Sequence, residues 1–195
     1  MEIKNILLAK NREEFRKWLM ENHSTENECW ISVKRGKPKE NENVFWYIDA
    51  VEEALCFGWI DSIHKNIEGI GHLQKFSPRK KNSPWSELNK ERVRRLEKLG
   101  LMTDAGRSVL PDMSENGFVI DSEILGLLKE NEVTWNNFKN FPPLYQRVRI
   151  DSVQREKGKS GKNKVYEYTL NKLIENTRNN IMFGEWNDNG RLLEY

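Results

Sequence analysis

The spacing of apolar residues changes period at Gly58, and that change limits what the surrounding chain can form. Upstream, Tyr47, Val51, Ala54 and Leu55 recur at helical intervals; downstream, Trp59-Ile60-Asp61-Ser62-Ile63-His64-Lys65 alternates with period two. Glycine is the residue on which a helix most readily ends in the left-handed conformation. The pattern therefore predicts a helix over about 46–57 that passes directly into a strand. His72-Leu73-Gln74-Lys75-Phe76 is the expected antiparallel partner, reached through a turn at Gly69 to Gly71. Such a layer needs large apolar groups, and although 32% of the 195 residues are charged, 7 Trp, 8 Phe and 5 Tyr supply them.

The rest of the chain is read the same way. Asn11 and Glu14 form a capping-box pair ahead of Phe15, Trp18 and Leu19, predicting a helix over about 12–22. Cys29-Trp30-Ile31-Ser32-Val33-Lys34 alternates as a strand with one buried face. Ser83-Pro84 reads as a cap and first residue of a third helix that carries Trp85, Leu88, Leu96 and Leu99 and closes at Gly100. A short helix between Thr103 and Leu110 precedes Pro111, and the polar stretch Asp112 to Gly117 is the expected boundary. Beyond it the signals are helical. Ser122 and Thr134 are the expected caps, Pro142-Pro143 opens a longer helix, and Tyr166, Leu170, Leu173, Ile174 and Thr177 form the stripe of a last one. Lys157 to Lys162 reads as a flexible basic loop between them. The expected class is α+β: residues 1–111 as N-terminal helices packed on a small, mostly antiparallel sheet, and 118–195 as a helical region packed on it.

Several chemistries fall away on spacing alone. Gly158 and Gly161 stand two residues apart behind a helical pattern, whereas a phosphate loop needs four residues between its first glycine and Gly-Lys-Ser/Thr, directly after a strand. His23, His64 and His72 make no metal-ligand spacing with each other or with Cys29 and Cys56, so neither metal nor cofactor is expected. Glu13/Glu14, Glu40/Glu42 and Glu52/Glu53 read as solvated faces, because adjacent helical side chains diverge by about 100°. Cys56 is the reactive-thiol candidate, with Asp61 and His64 nearby in sequence, but its setting, Ala54-Leu55-Cys56-Phe57, favours an inert core thiol. Asp61 is a lone carboxylate among Trp59, Ile60 and Ile63.

The net charge of +2 hides a local excess: Lys75, Arg79, Lys80 and Lys81 precede the third helix, and Arg92, Arg94 and Arg95 follow within it. Cations beside a helix N-terminus suit an anion, since guanidinium forks and the helix dipole both favour negative charge. If the Gly58 junction and the Ser77 to Trp85 junction meet, Trp59, Asp61, Arg79, Lys80 and Trp85 would line one polar, aromatic pocket.

Four blocks carry a family resemblance: Leu19-Met20-Glu21-Asn22-His23; Cys29-Trp30-Ile31; Tyr47 with Ala50 to Asp61; and Ser77-Pro78-Arg79-Lys80 with Ser83, Trp85-Ser86 and Asn89. Together they resemble the bacterial YdeI/OmpD-associated, or bacteriocin-protection, proteins, with a weaker likeness from Ile124 to Val153. The resemblance implies a role in envelope or antimicrobial-peptide stress and supplies no catalytic residue. The C-terminal helix of that family departs here, where Lys157 to Lys164 is a glycine-containing basic insertion. Three functions follow in order: a module binding a small anion or anionic ligand, with a protein as a further partner; an enzyme using Cys56 or Asp61; and a nucleic-acid binder through residues 75–95. No stretch approaches the roughly 18 apolar residues of a membrane helix, and two lone cysteines fit a reducing compartment, so a cytoplasmic protein is expected.

Overall fold

A computed structural model describes residues 5–39, 42, 44–114, 117–160 and 163–195. Its elements are β1 (Ile6–Leu7), α1 (Arg12–Asn22), β2 (Cys29–Ile31), α2 (Tyr47–Cys56), β3 (Trp59–Ile67), β4 (Gly71–Pro78), α3 (Glu87–Lys98), α4 (Asp104–Arg107), α5 (Ser122–Lys129), α6 (Glu132–Asn140), α7 (Pro143–Ser160), α8 (Lys164–Arg178) and a 3-10 turn at Asp188–Gly190. The protein is α+β. Its described residues divide into two compact units: one holds the chain up to Pro84, Arg92–Pro111 and Tyr195, the other Trp85–Glu91 and Asp112 to Glu194. Glu40 and the end of the expected basic loop, 161–162, lie outside the described residues.

The first unit is built on a four-stranded mixed sheet in the order β1-β2-β4-β3. β3 and β4 form the expected hairpin, while β1, which the sequence did not signal, pairs parallel with β2 through Ile6 and Trp30, and Leu7 and Ile31. β2 stops at Ile31, shorter than the alternation suggested, and all three of its residues are buried. It is an interior strand, and Trp30 lies under Lys75, whose ammonium is 5.7 Å from the ring centroid and pairs with Glu28. On the opposite face Phe15 of α1 meets Phe76 of β4 at 5.5 Å, and Trp18 meets Trp59 edge-on at 5.7 Å. Gly58 ends α2 with φ +75°, and a Cβ there would stand 3.0 Å from the Ala105 carbonyl, so both its backbone and its contact demand glycine.

α2 buries eight of its ten residues, Glu52 and Glu53 among them. These two carboxylates were expected on a solvated face, and the structure reverses that. Arg12 reaches Glu53 at 2.6 Å and Glu52 at 3.0 Å, Arg16 reaches Glu53 at 2.7 Å, and Arg95 reaches Glu52 at 2.8 Å. Three guanidiniums supply what water would have supplied.

The second unit is helical. Ile124, Leu128, Phe138, Tyr145, Tyr166 and Leu173 are core residues from four helices. Its caps lie one and three positions before those expected: Asp121, not Ser122, accepts from the start of α5, and Asn131, not Thr134, caps α6. α7 continues as helix through Ser160, so Lys157 to Ser160 are not a loop. Lys157 instead pairs with Asp121 at 2.7 Å and Glu123 at 3.2 Å.

Candidate functional site

The two junctions expected to form a pocket do meet. Trp59 pairs with Pro78 across the hairpin, and the Arg79 N–H donates to the Gly58 carbonyl at 2.9 Å. Their side chains, however, do not converge as drawn. Trp59 is 1% exposed and spends its indole N–H on the His23 carbonyl at 3.1 Å, which makes it a core residue. Arg79 is buried and turns into its own loop, where Nη1 donates to Ser83 Oγ at 3.3 Å and the Pro84 carbonyl at 3.4 Å. Lys80 is exposed on the turn that follows. Trp85 is half-buried and belongs to the second unit.

The helix N-terminus offered to an anion is also occupied from within. α3 starts at Glu87, later than Ser83-Pro84 suggested, because Ser86 caps it: Ser86 Oγ accepts from Asn89 N–H at 3.2 Å. The Asp151 carboxylate accepts from the Glu87 N–H at 3.2 Å, so a carboxylate of the chain holds the place of the anion. Several cations of the 75–95 segment are paired within the chain as well. Lys75 pairs with Glu28, Lys90 with Glu87 and Arg95 with Glu52.

What the sheet does assemble is a different polar group on the face of β3 and β4 that carries Phe76. Asp61 and His64 are three positions apart, which in a regular strand places them on opposite faces. A register shift between them sets Asp61 opposite Phe76 and His64 opposite Gln74, so both share that face. Tyr47, the first residue of α2, donates its hydroxyl to Asp61 Oδ2 at 2.6 Å. Burial, with the adjacent Asp61 charge, pushes the Tyr47 hydroxyl pKa up, so it stays a neutral donor. Arg35 is brought beside Tyr47 by a bridge between Lys34 and Trp46, in which Lys34 N–H donates to the Phe45 carbonyl and Tyr47 N–H to the Lys34 carbonyl. Its guanidinium lies 4.0 Å from the Tyr47 ring centroid, and Nη2 donates to Gln74 Oε1 at 2.5 Å. Gln74 is fully buried and its amide donates to the Ile63 and Lys75 carbonyls, so the oxygen that holds Arg35 is itself fixed. Further along the hairpin His64 and His72 stack with ring centroids 5.2 Å apart.

Of the expected site residues, only Asp61 belongs to this group. Arg35 and Gln74 were missed; the available signal was a glutamine in alternation with Phe76, on the buried side of a strand. Cys56 is fully buried, its thiol pKa pushed up to about 12 by burial first and the Glu53 charge next, and Cys29 is raised by burial too. Among the described residues no cluster of three or more His, Cys, Asp or Glu could hold a metal. A separate open hollow of about 630 Å³, between the start of α1 and Val44-Phe45, contains none of the expected residues.

An α+β domain with a buried ion network and a fixed, exposed arginine on one sheet face is thus the class of protein described. The chain belongs to the domain of unknown function family DUF8412, whose family model matches residues 7–109, the span holding the sheet and the Arg35 group. No curated protein and no solved structure matches the chain. No helix among the described residues is long and apolar enough to cross a membrane.

Proposed function

We propose that the family domain is a binding module for a small anionic ligand, with Arg35 as its anchor. One observation carries this reading: an exposed guanidinium held over the Tyr47 ring and pinned by the buried Gln74, with its other N–H groups unclaimed by any acceptor among the described residues. A fork fixed before binding loses little side-chain entropy on meeting a carboxylate or phosphate, and two parallel hydrogen bonds give it direction. Asp61, already accepting from Tyr47, adds an acceptor for a ligand that also carries a hydrogen-bond donor. Lys80, exposed and without an ion pair among the described residues, contributes field at most.

The likeness of the Glu53 to Asp61 block to YdeI/OmpD-associated proteins supports a bacterial role in envelope or antimicrobial-peptide stress. The free, buried cysteines support a cytoplasmic setting. Use of Cys56 as a nucleophile is disfavoured by its burial and raised pKa, and nucleic-acid binding through 75–95 by the internal pairing of Lys75, Lys90 and Arg95. Calorimetric titration of the full chain with phosphate, citrate and glutamate tests the proposal. We expect one of them to bind and Arg35→Met to weaken it at least ~10-fold, the loss of one charge-assisted pair; Lys80→Ala should change affinity less than ~3-fold, as a screened surface charge does. No binding to any of the three, or wild-type affinity in Arg35→Met, overturns it.

A further inference from the structure

The second unit holds an arginine in the opposite situation from those of the α2 network. Arg149 on α7 faces a cleft of about 230 Å³ lined by Ser152, Tyr168, Lys172, Phe183 and Gly184 among others, and no carboxylate lies in the lining. Its guanidinium is 5.5 Å from the Phe183 ring centroid, and Lys172 on α8 places its ammonium 5.2 Å from the same centroid. Two cations therefore meet at one aromatic ring. Arg149 Nη2 donates to the Glu185 carbonyl, while its buried Nε has no partner among the described residues. The exposed Glu185 side chain forms no ion pair with it among the described residues.

Such an arrangement is costly unless something offsets it. Removing a guanidinium from water without a counter-charge is among the more expensive things a fold does, and the usual remedy is a carboxylate. Burial holds the Arg149 pKa below its usual value, with Tyr145 and Glu185 restoring only part. The backbone, moreover, makes room for this side chain: at Gly184, φ +68°, a Cβ would stand 2.6 Å from Arg149 Nη1. Ser152 and Thr169 spend their hydroxyl protons on helix carbonyls, so the cleft's charge comes from Arg149 and Lys172 and its apolar wall from Val153, Phe183 and Tyr168.

We propose that this cleft is a second ligand site, independent of the Arg35 group and outside the family span, for a small organic anion: a carboxylate or phosphate monoester on one aromatic ring. The acid group takes the Arg149 fork and the Lys172 charge, and the ring lies against Phe183. The space suits one ring, since a cavity of roughly 150 Å³ already accommodates benzene.

Phenyl phosphate, benzoate and inorganic phosphate are titrated into the full chain by calorimetry, with circular dichroism on every variant. Phenyl phosphate or benzoate should bind, and inorganic phosphate at least ~3-fold more weakly for want of the ring contact. Whichever of the two aromatic acids binds tighter identifies the acid group. Arg149→Met should weaken binding at least ~10-fold and Lys172→Met about 3-fold. Gly184→Ala should weaken it through displacement of the guanidinium, and Arg35→Met should leave it unchanged. Should Arg149→Met fail to fold, Lys172→Met and Gly184→Ala decide. No binding of either aromatic acid by the wild type, wild-type affinity in folded Arg149→Met, or in both substitute variants where it does not fold, or loss in Arg35→Met alone, overturns the proposal.

Discussion

Arg12 in the first unit and Arg149 in the second are both largely withdrawn from water, yet they are held in opposite ways. Burial alone would lower the Arg12 pKa, but Glu53 and Glu52 more than reverse it, so its charge is matched inside the fold. At Arg149 the charges of Tyr145 and Glu185 restore only part, and burial lowers it. A charge answered by the chain's own carboxylates fastens α1 and α3 to α2; a charge left unanswered beside a cleft is available to a ligand. The same test separates Arg95, spent on Glu52, from Arg35, which is pinned by a neutral amide.

The largest way to break this contrast is to remove one carboxylate of the matched set. Glu53→Ala leaves Arg12 and Arg16 facing a void where 2.6 and 2.7 Å ion pairs stood. Truncating one partner of a buried pair costs about 3–5 kcal/mol, so urea denaturation should show a loss of that size. Arg149→Met, by contrast, should cost less than about 1 kcal/mol, because no buried carboxylate is orphaned. Equal losses in the two variants would erase the distinction. Cys56 adds a local reading, since the Glu53 charge helps to hold its thiol pKa up. With a thiol pKa near 12, native Cys56 should react with iodoacetamide at pH 8 more than about 1,000-fold slower than a free cysteine, and faster in Glu53→Ala.

A smaller effect is expected where charge and cap coincide at the surface. Asp121 caps α5 through the N–H groups of Glu123 and Ile124 and also meets Lys157. Asp121→Ala should cost about 1 kcal/mol, a typical N-cap value, and Asp121→Asn distinctly less because the cap survives. Lys157, first, and the backbone donors hold the Asp121 pKa down. Its contribution is therefore present above the unfolded value near ~4 and is lost as pH falls through the folded one. A flat acid limb for both wild type and Asp121→Asn would deny Lys157 any part.

How much of this could be read in advance depends on the range of the interaction. The Gly58 junction, the hairpin and the stripe of α8 rest on local periodicity, and they stand as expected. The capping positions at Ser86, Asp121 and Asn131 were displaced because several adjacent polar residues satisfy the same local rule, and tertiary partners choose among them. Glu52 and Glu53 looked solvated because their cations come from α1 and α3, between 37 and 43 positions away. Asp61 was legible as a lone carboxylate. Its partners were not, because a register shift places His64 on its face, and an isolated bridge at Lys34 brings Arg35 to Tyr47. Arg149 gave no signal: an arginine on a polar helix reads as solvated until a glycine 35 residues later is seen to make room for it.

The smallest expected effect has the opposite sign and bears on the anion that the chain supplies for itself. Asp151 sits at the start of α3 in place of the external anion that the basic segment suggested, and burial raises its pKa despite the Glu87 N–H and the Arg155 charge. A carboxyl whose folded pKa lies above its unfolded value binds its proton more tightly in the folded state. Stability is therefore highest below about pH 4 from this group and declines as pH rises through the folded pKa, after which it stays level. Asp151→Asn keeps an oxygen for the Glu87 N–H and removes the charge. At pH 7 it should leave stability unchanged or raise it by no more than about 1 kcal/mol after solvent screening, while flattening this part of the pH profile. A clear loss at pH 7 would mean that the carboxylate charge at the helix start outweighs its burial. Asp151 would then belong with Glu52 and Glu53, as a matched charge, and the contrast with Arg149 would rest on the cleft alone.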